Sequence, residues 1–490
     1  MRERALVRLT QMTVPTIFLP PQFKGTSLSR LAAYGKGGET RTHHQDFCRP
    51  RLAFMCFAVL VTGGLAVAAY IVPLNANDLL KHLFRFEART LSHTLWLDFI
   101  RQTPVAAAWR PLQLSIGHAL YIVGEGREHL VFKGTLALSV VAMMWMIVRL
   151  LAVQTWVDAA AAVVAIFILI GHHSFAAAVE GVYPFGVEII LVICQLAILL
   201  ILLRERAIGT DAAAFAISLF ALLLNEKGGI VGATYIAGSA LRMPGGSLTG
   251  AGAVFAGYLA VLTYRFLWVL SLTSFMRHRE VTDAPTTLFD TLAPALNVLI
   301  SDPRYGQFRT IPQALGGEPW AVVTVVSSVL TLAIIIAWAA RSRETEIKVL
   351  ALLALGLVAS CMFGPFSRKD YIPIIALPFY ALVSFYALRW TFTAHWRIAV
   401  ALAAVLALTW GIRFAGLGYF LAVQAYNYQE EWGEAERYGE AHEHDPAITV
   451  PVIARMRAEA MARPLRYPQE VLPFAVVRLL RGRGCPELCN

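Results

Sequence analysis

Apolar residues along this chain gather in long runs and do not alternate with polar ones. Arg51 to Pro73, Leu130 to Val153, Gly186 to Leu203, Val322 to Ala340 and Ala399 to Phe420 each approach the roughly 20 residues that cross a hydrocarbon core. Several further runs are shorter or interrupted. In lipid a backbone N–H or C=O finds a partner only along its own helix or in a closed barrel, and these runs lack the period-two alternation of barrel strands. The pattern predicts an all-α, polytopic transmembrane helix bundle.

Composition agrees. Of 490 residues 57% are hydrophobic and 15% charged, with a mean hydropathy of +0.60, more apolar surface than a soluble core of this size needs. The net charge of +10 raises nucleic acid as a partner, but its placement argues against one. Residues 1–51 carry nine Lys/Arg against three Asp/Glu, and a basic tail before a first span is an orientation signal. We therefore expect three parts: 1–50, a cytoplasmic tail without fixed structure; 51–420, the membrane domain; and 421–490, a short extracytoplasmic helical tail. Among the six cysteines, Cys485 and Cys489 close the chain as Cys-Pro-Glu-Leu-Cys, a pair that can form a disulfide outside the cytoplasm.

With the tail inside, the basic residues of short connections alternate with span number: Arg149; Arg204 and Arg206; Arg242; Arg341, Arg343 and Lys348; Arg389 and Arg397. This register gives about eleven spans and a multi-pass protein of the bacterial inner membrane, provided that Trp109 to Val123 dips into the membrane without crossing. Outside loops then fall at 75–128, 172–184, 225–229, 275–318, 364–370 and beyond 421. The proposed spans at Asp211 to Leu224 and Gly229 to Leu241 meet at Asn225-Glu226-Lys227-Gly228. This is either a charged turn lining a cavity or one long helix with an internal ion pair.

The outside loops hold the ionisable groups. From Asn77 to Phe99 the first loop reads as an amphipathic interfacial helix, with Asp78 at its start. A carboxylate there serves as helix N-cap or as general base toward an attacking hydroxyl. Arg110, after Trp109, suits a lipid phosphate with its planar fork, or snorkels to the interface. His172, His173 and Glu180 lack a recognised metal-ligand spacing and fit hydrogen bonding to a polar substrate better. Arg277, Arg279, Arg304 and Arg309, with Arg368 and Lys369 before Tyr371, form either a solvated loop surface or an anion site for a phosphate headgroup. No Walker, Rossmann or Ser-His-Asp signature is present, and nothing calls for a cofactor.

The order of these motifs resembles the GT-C superfamily of polytopic glycosyltransferases. The residues concerned are an acidic residue after the first span, Trp109-Arg110-Pro111-Leu112, His129, His172-His173 with Val179-Glu180, Glu226-Lys227-Gly228, and Arg368 with Tyr371-Ile372-Pro373. Within that superfamily the chain is most similar to the transmembrane and tetratricopeptide-repeat-containing protein O-mannosyltransferases and their bacterial relatives. The resemblance implies a polyprenyl-phosphate sugar donor and an extracytoplasmic acceptor hydroxyl on an envelope glycan, lipid or protein. It implies Asp78 as base, with Arg110, Arg368 and Lys227 neutralising the leaving phosphate. His172, His173, Glu180, Glu226, Arg304, Lys369 and Tyr371 would complete the substrate site. A transporter or flippase of a lipid-linked glycan intermediate is the alternative.

Overall fold

The computed structural model describes residues 43–74, 82–83, 86–87, 90–100, 110–124, 127–180, 185–265, 267, 319–361, 372–459, 473 and 475–476. By contacts the chain divides into Met1–Asp46 and Phe47–Asn490, and the helix bundle belongs to the second unit. The described residues are helical throughout, with no strand. The helices are α1 (His43–Ile71), α2 (Leu91–Phe99), α3 (Pro111–Gly124), α4 (Glu128–Leu151), α5 (Trp156–Ile170), α6 (His173–Glu180), α7 (Val187–Leu203), α8 (Thr210–Leu224), α9 (Gly229–Ala240), α10 (Leu248–Tyr264), α11 (Pro319–Ala339), α12 (Glu344–Cys361), α13 (Leu377–Ala394), α14 (Trp396–His442) and α15 (Pro446–Glu459). Short 3-10 turns occupy Glu226–Gly228 and Ile372–Ala376.

Each segment expected to cross the membrane is a helix. Five contain stretches long and apolar enough to do so by length and composition: Arg49–Ile71, Glu128–Leu151, Val322–Ala339, Ile374–Ala394 and Trp396–His442. The chain is thus consistent with an integral membrane protein. Of the apolar windows, that of α13 is 83% buried and that of α1 only 22%, so α13 is central and α1 peripheral. Exposed Leu60, Leu138, Phe255, Ile336 and Leu408 give the outer helix faces the apolar character that lipid accommodates.

Small residues set the closest approaches. Ala161, Ala162 and Ala165 of α5 are fully buried, and α5 packs along α13 and α14, as small residues permit between membrane helices. At Gly171 a Cβ would stand 2.9 Å from the Trp410 carbonyl oxygen. Gly186 has φ +73°, and a Cβ there would meet Leu136 Cδ1 at 2.4 Å; this glycine lets α7 start tight against α4.

The connections rich in arginine share one end of the bundle, which we call the basic end. There Arg389 Nε lies 3.0 Å from Asp158 Oδ1, and Lys348 donates to the Arg242 carbonyl. Asp158 also closes a capping box with Thr155 that starts α5, satisfying N–H groups that a helix start leaves open. Asp211 accepts from Tyr235 and Ser247 and so joins α8, α9 and α10 at this end.

Two elements depart from simple spans. The segment expected to dip is the 14-residue α3, about 21 Å long against a hydrocarbon core of about 30 Å. The last apolar run does not stop at residue 420: α14 continues to His442 as one 47-residue helix, about 70 Å long. Its extension returns to the first helix, where the Trp432 indole N–H donates to the Leu74 carbonyl at 2.8 Å.

Candidate functional site

At the end opposite the basic one, α8 breaks at Asn225, a 3-10 turn carries Glu226 and Lys227, and α9 restarts at Gly229. The sequence enforces the break. The Asn225 side chain accepts from the Lys227 N–H at 3.1 Å, an Asx turn that competes with helix continuation. Gly228 is required because a Cβ would stand 1.9 Å from the Ala221 carbonyl oxygen. Of the two readings of Asn225–Gly228, the charged turn is the one found.

Glu226 faces Arg110, which precedes α3 by one residue. Arg110 Nε donates to Glu226 Oε2 at 3.0 Å and Nη2 to Oε1 at 2.8 Å. The two side chains are 12% and 16% exposed. This is the bidentate fork geometry in which guanidinium and carboxylate fit best. Beside it Asn225 Nδ2 donates to Gln113 Oε1 at 3.4 Å, a second tie between the turn and α3. Burial pushes the Glu226 carboxyl up, but the charge and hydrogen bonds of Arg110, with the charge of Arg265 added, outweigh it and hold the group below its ordinary range. Arg265, at the end of α10, thus faces the same carboxylate, and Lys227 is buried in the same turn. Two arginines thus act on one carboxylate, and a lysine follows it in the same turn.

His172 and His173 are both buried, with ring centroids 4.2 Å apart. His172 Nδ1 accepts from the Ser174 N–H at 3.2 Å, which fixes that nitrogen as unprotonated and the proton on Nε2 in the neutral ring. The pair opens the short helix α6, packed on α14 and on the 3-10 turn Ile372–Ala376. These histidines therefore sit inside the bundle, where the apolar pattern predicts a loop. Among the described residues no three His, Cys, Asp or Glu side chains group as a metal site would need.

Asp78, Arg304, Arg368, Lys369 and Tyr371, and the side chain of Glu180, lie outside the described residues. The structure thus brings together Arg110, Glu226 and Lys227 of the expected set, and His172 with His173 as a second group. It adds residues that the sequence motifs do not include: Arg265, Gln113 and Asn225 at the first group, and buried Lys133, Glu188 and Arg413 inside apolar helices. The signal for the last three was present, since a lone ionisable residue within an apolar run marks a functional position by default. Counted from the basic end of their helices, Lys133, Glu188, Glu226 and Arg413 lie roughly 22–27 Å along at 1.5 Å per residue. They therefore fall at similar heights, toward the end opposite the basic one. No family model, curated protein or solved structure matches the chain.

Proposed function

We propose that the protein is a membrane glycosyltransferase of the GT-C type that moves a sugar from a polyprenyl-phosphate donor to an extracytoplasmic acceptor hydroxyl. The observation that carries this reading is the buried Arg110–Glu226 fork, with Lys227 and Arg265 beside it. It joins the short helix α3 to the turn between α8 and α9 and gathers cations of the kind that neutralise a lipid phosphate. In this reading the basic end faces the cytoplasm, eleven helices cross, α3 dips, and both termini keep the sides assigned to them from charge.

The acceptor oxygen bonds to the anomeric carbon as the bond from that carbon to the phosphate oxygen breaks. Polyprenyl phosphate departs with the electron pair, and the acceptor proton passes to Asp78. Arg110, Lys227 and Arg368 stabilise the charge gathering on the phosphate, the point in such a reaction where fixed donors lower the barrier most. Purified protein given a radiolabelled polyprenyl-phosphate sugar and candidate acceptors tests this. Transfer should fall by about a hundredfold or more in Asp78→Asn, as expected for loss of a general base. Transfer at the wild-type rate in that variant would remove the proposed base.

One observation favours a second reading. Ionisable residues between membrane helices, such as those of the turn joining α8 and α9, also mark cargo pathways in transporters. In liposomes, passage of the labelled lipid across the bilayer with its sugar still attached would establish a flippase instead.

A further inference from the structure

Two short connections lie side by side at the basic end. Residues 152–155 join α4 to α5, and His395 alone separates α13 from α14. Asp158, in the first turn of α5, meets Arg389, near the end of α13, and so pins the two connections together; α5 also packs along both α13 and α14. Three arginines flank this corner. Arg149 stands in the last turn of α4 with its guanidinium 5.0 Å from the centre of the Trp145 ring, and Arg397, the second residue of α14, lies 5.5 Å from that of Trp396. Among the described residues neither guanidinium forms an ion pair or donates a hydrogen bond. Arg389 turns its Nε to Asp158 and keeps 34% of its side chain exposed.

The charge here is one-sided. Residues 149–158 and 389–400 hold three arginines and one carboxylate, Asp158, which is buried and already accepts from the Gln154 and Thr155 N–H groups. Glu346, at the start of α12 on the same end, is taken by the Arg343 N–H. A guanidinium laid on an indole keeps its N–H edge open to phosphate oxygens. The second observation is aromatic. Trp156 and Trp396, each the first residue of its helix, are 62% and 63% exposed, and exposed Ile398 and Val400 carry the apolar surface on along α14. Indoles at the edge of an apolar face suit the boundary between water and lipid. Arginines that only set orientation would act by their number, whereas these are placed against indoles at one corner.

We propose that this corner is a binding site for an anionic phospholipid, at the opposite end of the bundle from the Arg110–Glu226 centre. Arg149, Arg389 and Arg397 receive the phosphate oxygens, Trp156 and Trp396 lie at the level of the glycerol, and the acyl chains run along the apolar face below Trp396.

The full-length protein in phosphatidylcholine nanodiscs, doped with a photo-crosslinking phosphatidylglycerol or with the matching phosphatidylcholine probe at equal mole fraction, tests the site. Peptides covering 145–158 and 389–400 should be labelled severalfold more by the anionic probe than by the zwitterionic one. In the double variant Arg149→Gln with Arg397→Gln this preference should fall by about fivefold or more, the scale of one arginine's attraction to an anionic surface. Labelling by the zwitterionic probe should stay as it was, which shows that the variant is folded. Arg204→Gln with Arg242→Gln removes the same charge elsewhere on the basic end and should leave the preference in place. Equal labelling of the two segments by both probes in the wild type overturns the proposal. So does an equal loss of preference in the two double variants, which would assign the effect to net charge. Neither result depends on whether sugar transfer is detected.

Discussion

Tyr258 closes the gap that the broken helix opens at Gly228. Its hydroxyl lies 3.1 Å from the Gly228 carbonyl and 3.1 Å from that of Ser218, and it accepts from the Gly232 N–H at 3.0 Å. A turn packed between helices leaves backbone groups buried from water, so they need partners from neighbouring elements. One phenol on α10 serves both helices and the turn between them. Tyr258→Phe should therefore lower stability by about 1–3 kcal/mol, the range for leaving buried backbone groups unpaired. Thermal unfolding in detergent reads this directly; an unchanged midpoint would show that the hydroxyl does not hold the break together.

The break also depends on Gly228 itself. A Cβ there would lie 1.9 Å from the Ala221 carbonyl oxygen and 2.2 Å from its carbon, and backbone does not yield as a flexible side chain does. Gly228→Ala should cost about 3 kcal/mol or more, at the upper end of overpacking effects. Gly229→Ala, one residue on, meets only Leu222 Cδ1 at 3.9 Å and should be close to neutral. Paired expression and unfolding measurements on the two variants check this contrast, and equal damage from both would refute the steric account.

How much of this was legible in the sequence differs by level. The helical state of the apolar runs was, because lipid imposes one rule on every backbone group and the runs record it residue by residue. The break at Asn225–Gly228 was half legible: Asn, Gly and two charges between apolar runs marked a discontinuity but did not exclude an internal ion pair. The partner of Glu226 was not legible, since Arg110 lies 116 residues away and no local pattern links them. Nor was the burial of His172 and His173. Next to the apolar run that ends at Ile170 they read as the start of a loop, whereas helix α6 folds them back against α14. Arg413 was visible as a lone charge in the run from Ala399 to Phe420, but its partners Ser327 and Ser328 lie on another helix.

At the basic end, Asp158 serves two partners with one carboxylate. Oδ2 accepts from the Thr155 N–H at 3.0 Å, and Oδ1 meets Arg389, whose side chain is about a third exposed. Solvent reaching the arginine weakens the ionic part, so the capping box should dominate. Asp158→Asn, which keeps an acceptor, should cost about 1 kcal/mol or less, and Asp158→Ala about 1–2 kcal/mol. Chemical unfolding of the two variants ranks the contributions; a loss in Asn as large as that in Ala would place the weight on the ion pair.

The Arg110–Glu226 fork separates a holding role from a chemical one. Removing either partner strands a buried charge, so Arg110→Gln and Glu226→Gln should each cost about 3 kcal/mol or more, and the double variant less than their total. The pH dependence has a definite sign. The folded Glu226 carboxyl titrates below its unfolded value. The fork's contribution is therefore complete above the unfolded carboxylate range and is lost as pH falls through the folded value. Wild type and Glu226→Gln should thus differ most near neutral pH and converge under acid, a comparison open to unfolding measurements in detergent at a series of pH values. A difference that widened as pH fell would mean that the carboxyl is held protonated and is not the arginine's ionic partner. Exchanging the charges, Arg110→Glu with Glu226→Arg, then divides structure from chemistry. If the fork only joins α3 to the turn between α8 and α9, the exchanged protein should recover both stability and sugar transfer. If Arg110 also faces the leaving phosphate, stability should return while transfer stays low, because the cation then stands on the wrong element.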